Sequence, residues 1–289
     1  MAVAIAPDQP AIGAHQVDLS EARPFVKWVG GKRQLIHELV RRAPRREEIG
    51  TYYEPFLGGG ALFFHLQPAS AVLTDSNRRL IRAYCGIRDD VEGVIDRLKT
   101  YRHLHEKHFF LKMRKLDVDD QKEDAGVAAW LIYLNRTAYN GLYRVNSRNF
   151  FNVLFGDYKN PRICDEENLR CCAEVLKSAK EIEVRDFAEA TKDAKEGDFV
   201  YFDPPYAALT ETSKFTDYTS DGFSDDDQIR LRDVAADLKR RRVRVLISNS
   251  SAKRVSSWYE AFKRVPVGAR RSVNCKPDSR GRVRELLIY

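Results

Sequence analysis

The sequence predicts an α/β fold: a doubly wound, mostly parallel sheet that ends in an antiparallel C-terminal hairpin, with a mainly helical segment inserted. Three observations predict it. A strand, a glycine loop and a helix follow one another in Tyr52-Tyr53-Glu54-Pro55-Phe56-Leu57-Gly58-Gly59-Gly60 and Ala61-Leu62-Phe63-Phe64-His65-Leu66. Short apolar strands alternate with helical patterns before residue 85 and after residue 177, which implies parallel crossovers. Between them, from about residue 86 to 176, helical patterns continue without that alternation.

The chain has 289 residues, enough for one large domain or for a main domain carrying an insertion. Hydrophobic residues make up 43%, sufficient for a core, and the formal net charge is +7, which suits a polyanionic partner. Cys85, Cys164, Cys171, Cys172 and Cys275 form no C-x-x-C pair. They read as reduced thiols of a cytosolic protein. No run of eighteen apolar residues suggests a membrane span. Residues 1–23 lack the basic head and long apolar core of a signal peptide and read as a flexible extension.

The first ordered motif is Phe25-Val26-Lys27-Trp28-Val29-Gly30-Gly31-Lys32. Its glycines permit a tight turn and close approach to a ligand. Leu35, Ile36, Leu39 and Val40 then recur at helical spacing. Trp28 offers a stacking face and Lys32 a cation, although a buried tryptophan beside a structural turn would look the same. The loop at 58–60 has the layout of a nucleotide-binding crossover but falls short of G-x-G-x-x-G. Ala71-Val72-Leu73-Thr74-Asp75 is a strand ending in an acid, the usual partner of ribose hydroxyls, or else a solvated loop aspartate.

Further strands fit residues 181–184, 199–202 and 243–249. Ser224 is placed to N-cap a helix whose inner face carries Leu231, Val234, Ala235 and Leu238. The C-terminal hairpin is expected from strands at 270–273 and 282–289, joined by a loop at 276–281.

Chemistry concentrates in two places. Asp203-Pro204-Pro205-Tyr206 follows the apolar run 199–202. A carboxylate, proline-stiffened carbonyls and an aromatic face at a strand's end form a socket for a flat molecule with an exocyclic amine. The same residues could simply break a strand into a turn. Residues 135–159 mix asparagine, arginine and aromatic side chains around an Asn140-Gly141 turn. Arginine reads guanine, asparagine reads adenine, and apolar tips wedge between base steps. A surface hairpin rich in turn formers is the plainer alternative. His103, His105 and His108 lack a fourth ligand and read as a solvated helix face, so no metal site is expected.

Taken in order, the pieces at 25–32, 54–60, 74–77, 133–158, 203–206, 215–218, 247–249 and 270–289 resemble those of Dam-type (alpha-class) DNA adenine-N6 methyltransferases. The likeness runs from about residue 24 to the C-terminus. It implies a Rossmann-like catalytic domain (24–85 and 177–289) and a target-recognition domain (86–176) whose DNA-reading hairpin spans about 136–160. It further implies S-adenosyl-L-methionine as cofactor, giving S-adenosyl-L-homocysteine, bound by Trp28, Lys32, Glu54, Phe56, Gly58, Gly60, Asp75 and Asp203. Asp203, Pro204 and Tyr206 would grip an adenine flipped from double-stranded DNA. Lys27, Arg136, Tyr139, Asn140, Leu142, Arg144, Asn146 and Tyr158 would contact the duplex.

Relatives with this hairpin read GATC, so that target is expected. Asp157, Ser250 and the pair Asn149-Phe150 depart from the family's usual residues. The sulfonium is already an activated electrophile, so in-line transfer needs neither metal nor covalent intermediate. The resemblance also implies a monomer in the cytoplasm of a bacterium or phage-infected cell, associated with the nucleoid and open to pairing with a restriction endonuclease. An S-adenosylmethionine-dependent N-methyltransferase acting on RNA or a protein amide is the alternative.

Overall fold

The computed structural model describes residues 18–206, 223–270 and 282–289. Residues 1–17 of the leader expected over 1–23, the piece at 215–218, and residues 271–281, with the expected strand end and hairpin loop, lie outside the described residues. The rest of that leader is held in place: Leu19–Glu21 form a helical turn, Ala22 is buried, and the Arg23 N–H donates to Asn168 Oδ1 at 3.0 Å.

Among the described residues seven strands form one sheet: β1 (Tyr52–Glu54), β2 (Ala71–Asp75), β3 (Ala179–Val184), β4 (Phe199–Phe202), β5 (Arg244–Ser250), β6 (Arg264–Arg270) and β7 (Arg282–Ile288). Their spatial order is β3-β2-β1-β4-β5-β7-β6. The first five are parallel, and β7 runs antiparallel to both β5 and β6. The chain first winds outward from β1 to β3, then returns beside β1 with β4. That reversal opens a crevice at the carboxyl ends of β1 and β4, where such sheets bind ligands.

The helices are α1 (Ile36–Val40), α2 (Ala61–Leu66), α3 (Arg78–Asp89), α4 (Val91–His103), α5 (Lys107–Arg114), α6 (Asp124–Thr137), α7 (Glu166–Leu176), α8 (Phe187–Ala190), α9 (Asp225–Arg240) and α10 (Lys253–Trp258). A parallel sheet must be covered on both faces, and alternation along the strands arranges this. Tyr52, Leu73, Phe199, Tyr201 and Leu246 pack into one apolar cluster, and Tyr53, Val72, Val200, Phe202 and Ile247 into another. The second cluster takes in Leu231, Ala235 and Leu238 of α9.

That helix starts as its sequence dictates. Ser224 Oγ accepts the Asp227 N–H at 3.1 Å, and Asp227 Oδ2 accepts the Ser224 N–H at 2.9 Å. Such reciprocal capping is worth about 1 kcal/mol.

Helix α6 is apolar on every side, and Val127 through Leu134 are all buried. It packs against α3 and α4, so the helical layer and the sheet share one apolar cluster running from Leu73 through Tyr84 to Trp130 and Phe151. Helix α3 passes through the 85/86 position without a break.

Two expectations are corrected. The first hairpin strand begins at Arg264, not at 270, and Pro266 pairs with Leu286 inside it. Proline is tolerated because β6 is the outermost strand, where its missing N–H breaks no ladder on the open side. His105 is not on a solvated helix face. It lies in the turn between α4 and α5, half-buried, with Nδ1 3.0 Å from the Tyr133 hydroxyl. Apolar neighbours hold its imidazole below the usual pKa.

Candidate active site

Strand β4 is buried along its whole length and leaves the sheet at Asp203. Asp203 Oδ1 meets Lys32 Nζ at 2.8 Å. Lys32 arrives from the Gly30-Gly31 turn, where Gly30 has φ +80°, a conformation that favours glycine. The lysine side chain is 4% exposed, donates to the Gly30 carbonyl at 2.6 Å, and lies 4.8 Å from the centre of the Tyr206 ring. The Tyr206 hydroxyl donates to Glu285 Oε2 at 2.5 Å, and that oxygen is 4.0 Å from Lys32 Nζ.

Four residues from three distant segments therefore converge. Burial pushes the Asp203 carboxyl up to about 6, against the opposing pull of Lys32. Pro204 is buried, and its carbonyl meets no donor among the described residues.

The crevice beside this group is built by the glycine loop. Gly58 and Gly60 have φ of +48° and +64°. A Cβ on Gly58 would stand 2.9 Å from Trp28 Cδ1, so the loop and the indole lie in close contact. Trp28 in turn stacks on Tyr143, ring centres 5.4 Å apart. Asp75 Oδ2 accepts the Gly58 N–H and its Oδ1 the Asn77 N–H, both at 2.9 Å. Burial raises the Asp75 carboxyl despite these bonds.

Glu54, 2% exposed, accepts the Tyr52 hydroxyl at 2.8 Å; burial lifts its pKa to about 8. Phe56 stacks on Phe187 at 5.5 Å and meets Phe202 and Phe223 edge-on. Contacts join Trp28, Gly58 and Asp75 in one group and Lys32 and Asp203 in another, while Glu54 is bonded to Tyr52 and Phe56 packs among Phe187, Phe202 and Phe223. That donor set fits a ligand with a flat base, hydroxyls and a cationic end.

The segment between α6 and α7 forms the expected hairpin, bridged at Ala138–Phe155 and Val145–Phe151. Tyr139, Asn140, Arg144, Asn146 and Tyr158 are exposed on it, and Leu142 is half-buried. Lys27 is exposed too and lies 5.3 Å from the centre of the Tyr158 ring, which joins the first motif to the hairpin. Arg136 is placed apart from these. Its Nη2 donates to the Phe25 carbonyl at 2.8 Å, inside the protein.

Sequence reasoning missed three supports. Buried Asn135 donates to the Lys27 carbonyl at 2.8 Å and the Gly141 carbonyl at 2.7 Å, and accepts the Lys27 N–H at 2.7 Å. Arg79, 3% exposed, pairs with both Asp119 oxygens at 2.8 and 2.7 Å and donates to the Asn149 carbonyl at 2.6 Å. Glu285 is the third. The only sequence trace of it is an acid abutting the apolar run Leu286-Leu287-Ile288.

Residues 28–273 match the family described as D12 class N6 adenine-specific DNA methyltransferase. The chain is 43% identical over 270 residues to the Type II methyltransferase M1.LlaDCHI of Lactococcus lactis subsp. cremoris, covering 92% of this chain and 94% of the relative. It is 40% identical over 287 residues to the Type II methyltransferase M.MjaIII of Methanocaldococcus jannaschii, covering 93% and 99%. The DNA adenine methylase of Vibrio cholerae serotype O1 is 33% identical over 273 residues, covering 93% and 96%.

Proposed function

We propose that this chain, which belongs to the D12 class of N6 adenine-specific DNA methyltransferases, moves a methyl group from S-adenosylmethionine to the N6 of an adenine extruded from GATC in duplex DNA. Residues 24–85 and 177–289 serve as the catalytic domain and residues 86–176 as the target-recognition domain, acting as a monomer. Two relatives named as Type II methyltransferases favour pairing with a restriction endonuclease.

The observation that carries this reading is the fixed trio at the end of β4. Asp203 is held by Lys32, Tyr206 is held by Glu285, and the Pro204 carbonyl between them has no donor among the described residues. Two acceptors beside an aromatic ring match the two N6 hydrogens of adenine and its flat face. Extrusion of the base costs a few kcal/mol. Stacking on Tyr206 offsets roughly 1–3 kcal/mol of that.

The N6 lone pair is delocalised into the ring and must be localised before it attacks. Hydrogen bonds from N6 to Asp203 and to the Pro204 carbonyl do this, and preorganised groups of this kind are worth about 3 kcal/mol each. S-adenosylmethionine bound against Trp28, the glycine loop and Asp75 supplies a methyl carbon on a sulfonium, already electrophilic. Asp203, at about 6, is a stronger proton acceptor than an exposed aspartate and is suited to take the proton that N6 sheds. Lys27, Arg144 and Tyr158 are the exposed side chains assigned to the duplex, and the first and last of them lie 5.3 Å apart, ammonium to ring centre.

Expression in a host free of adenine methylation, followed by single-molecule sequencing of its DNA, tests the reading. N6-methyladenine at GATC is expected. Methylation in another sequence context overturns the target alone. Unmodified DNA, with labelled methyl appearing in RNA or protein, overturns the reaction.

A further inference from the structure

The Asp203-Pro204-Pro205-Tyr206 turn has a support that makes no contact with the reacting groups. Neither proline carries an N–H, so these four residues hold only two backbone donors, those of Asp203 and Tyr206. The Pro205 carbonyl accepts a hydrogen bond from Gln228 Nε2, in the first turn of α9, at 2.9 Å. Gln228 Oε1 accepts one from Asn249 Nδ2, near the end of β5, also at 2.9 Å. Asn249 Oδ1 accepts the backbone N–H of Ser250 at 2.7 Å. Both residues are 0% exposed; α9 carries Leu231 and Ala235 of the second apolar cluster along with Gln228, and β5 carries Ile247 along with Asn249.

The direction of this relay is fixed by its ends. A backbone N–H can only donate, so the Asn249 oxygen must face Ser250 and its NH2 must face Gln228. A carbonyl can only accept, so the Gln228 NH2 must face Pro205 and its oxygen must face Asn249. Both amide orientations follow from partners that allow no alternative. An apolar side chain in place of Gln228 would leave the Pro205 carbonyl without this donor. Two buried amides in series therefore serve the one group at the end of the chain.

We propose that Gln228 and Asn249 are positioning residues for methyl transfer: by holding the Pro205 carbonyl they set the peptide plane before Tyr206, which aims the Pro204 carbonyl and the tyrosine ring at the extruded base. The proposal rests on the adenine reading for what Pro204 and Tyr206 do. Three ties then fix the turn: Lys32 on Asp203, the relay on Pro205, and Glu285 on Tyr206. The Pro204 carbonyl has no such tie among the described residues. A misaligned acceptor in such a site weakens the transition state far more than it weakens binding.

Gln228→Met keeps length and volume and removes the donor; Asn249→Leu leaves Gln228 in place but unoriented. Leu231→Ala, three residues along the same helix, is the packing control. Each protein is melted and then assayed on DNA from a methylation-free host, reading single-turnover transfer rate and affinity for DNA and S-adenosylmethionine separately.

Both relay variants are expected to lose about tenfold or more in transfer rate. Both affinities should stay within about threefold, and Leu231→Ala should lose stability but keep its rate. A folded Gln228→Met protein with the wild-type rate overturns the proposal; so does a loss shared equally by Leu231→Ala. Should Gln228→Met fail to fold, Asn249→Leu decides by the same split. A wild-type protein that modifies something other than adenine overturns the underlying reading instead, and the relay is then judged by the same split on that substrate.

Discussion

Lys32 Nζ lies 2.8 Å from Asp203 Oδ1, and the lysine that holds this place is 4% exposed. Burial raises the Asp203 carboxyl to about 6, with Lys32 as the main opposing force and Glu285 adding to the rise. In Lys32→Met only the raising influences remain, so the carboxyl must move above 6. If ionised Asp203 is the working form, the acid limb of the pH–rate profile shifts to higher pH and the rate at pH 7 falls. Asp203→Ala should abolish methylation at every pH with an unchanged circular dichroism spectrum. An acid limb that stays in place in Lys32→Met contradicts the pairing.

Glu54 gives a stability prediction of definite sign. Its carboxyl is ordinary when unfolded, near 4.5, and about 8 when folded. The folded state therefore holds a proton that the unfolded state releases between those values. Stability from this group is complete below 4.5 and is lost as pH rises through 8. Glu54→Gln removes the titration, so wild type should lose ground to it by at most about 1.4 kcal/mol per pH unit across that window. Urea titrations at pH 5, 7 and 9 would show the gap widening. Parallel curves would mean that Glu54 is already charged at neutral pH.

How much of this was legible in the sequence depended on distance along the chain. The Ser224 cap, the glycine loop, the acid at Asp75 and the Asp203 turn are local patterns, each readable within ten residues. The partners that fix them are remote. Asn135 reaches Lys27 across 108 positions, Gln228 reaches Pro205 across 23, and Glu285 reaches Tyr206 across 79. Nothing in local periodicity encodes such pairs, because only the sheet order sets β7 beside β5 and brings Glu285 over β4's exit. The start of β6 at Arg264, with Pro266 inside it, was hidden for a related reason. The proline's tolerance depends on β6 lying at the sheet's edge, which is a property of topology.

Arg79 is the joint between helix α3, which follows Asp75, and the hairpin. It pairs bidentately with Asp119, donates to the Asn149 carbonyl, and lies 5.3 Å from the centre of the Trp130 ring. Arg79→Leu leaves Asp119 with Asn149 Nδ2 as its side-chain donor, at 2.7 Å, and takes a donor from the Asn149 carbonyl, which should cost about 2–4 kcal/mol given that Asp119 keeps some solvent. Lysine cannot reproduce the fork, so Arg79→Lys should recover under half of that loss. Chemical denaturation measures both. A cost below about 0.5 kcal/mol for Arg79→Leu, the range of ordinary surface changes, would remove Arg79 from this role.

Arg144 offers the opposite case, an exposed side chain whose loss the fold should not notice. Its Nε donates to Asn152 Oδ1 at 2.8 Å across the hairpin, which points the guanidinium without burying it. Arg144→Ala should change stability by less than about 0.5 kcal/mol. On DNA it should weaken discrimination at a single guanine by about 1–3 kcal/mol, the worth of one bidentate arginine–guanine contact. Transfer rates on duplexes carrying one substituted base pair at a time locate the position. A uniform drop at all positions would assign Arg144 to the phosphate backbone, because phosphate contacts carry no sequence information.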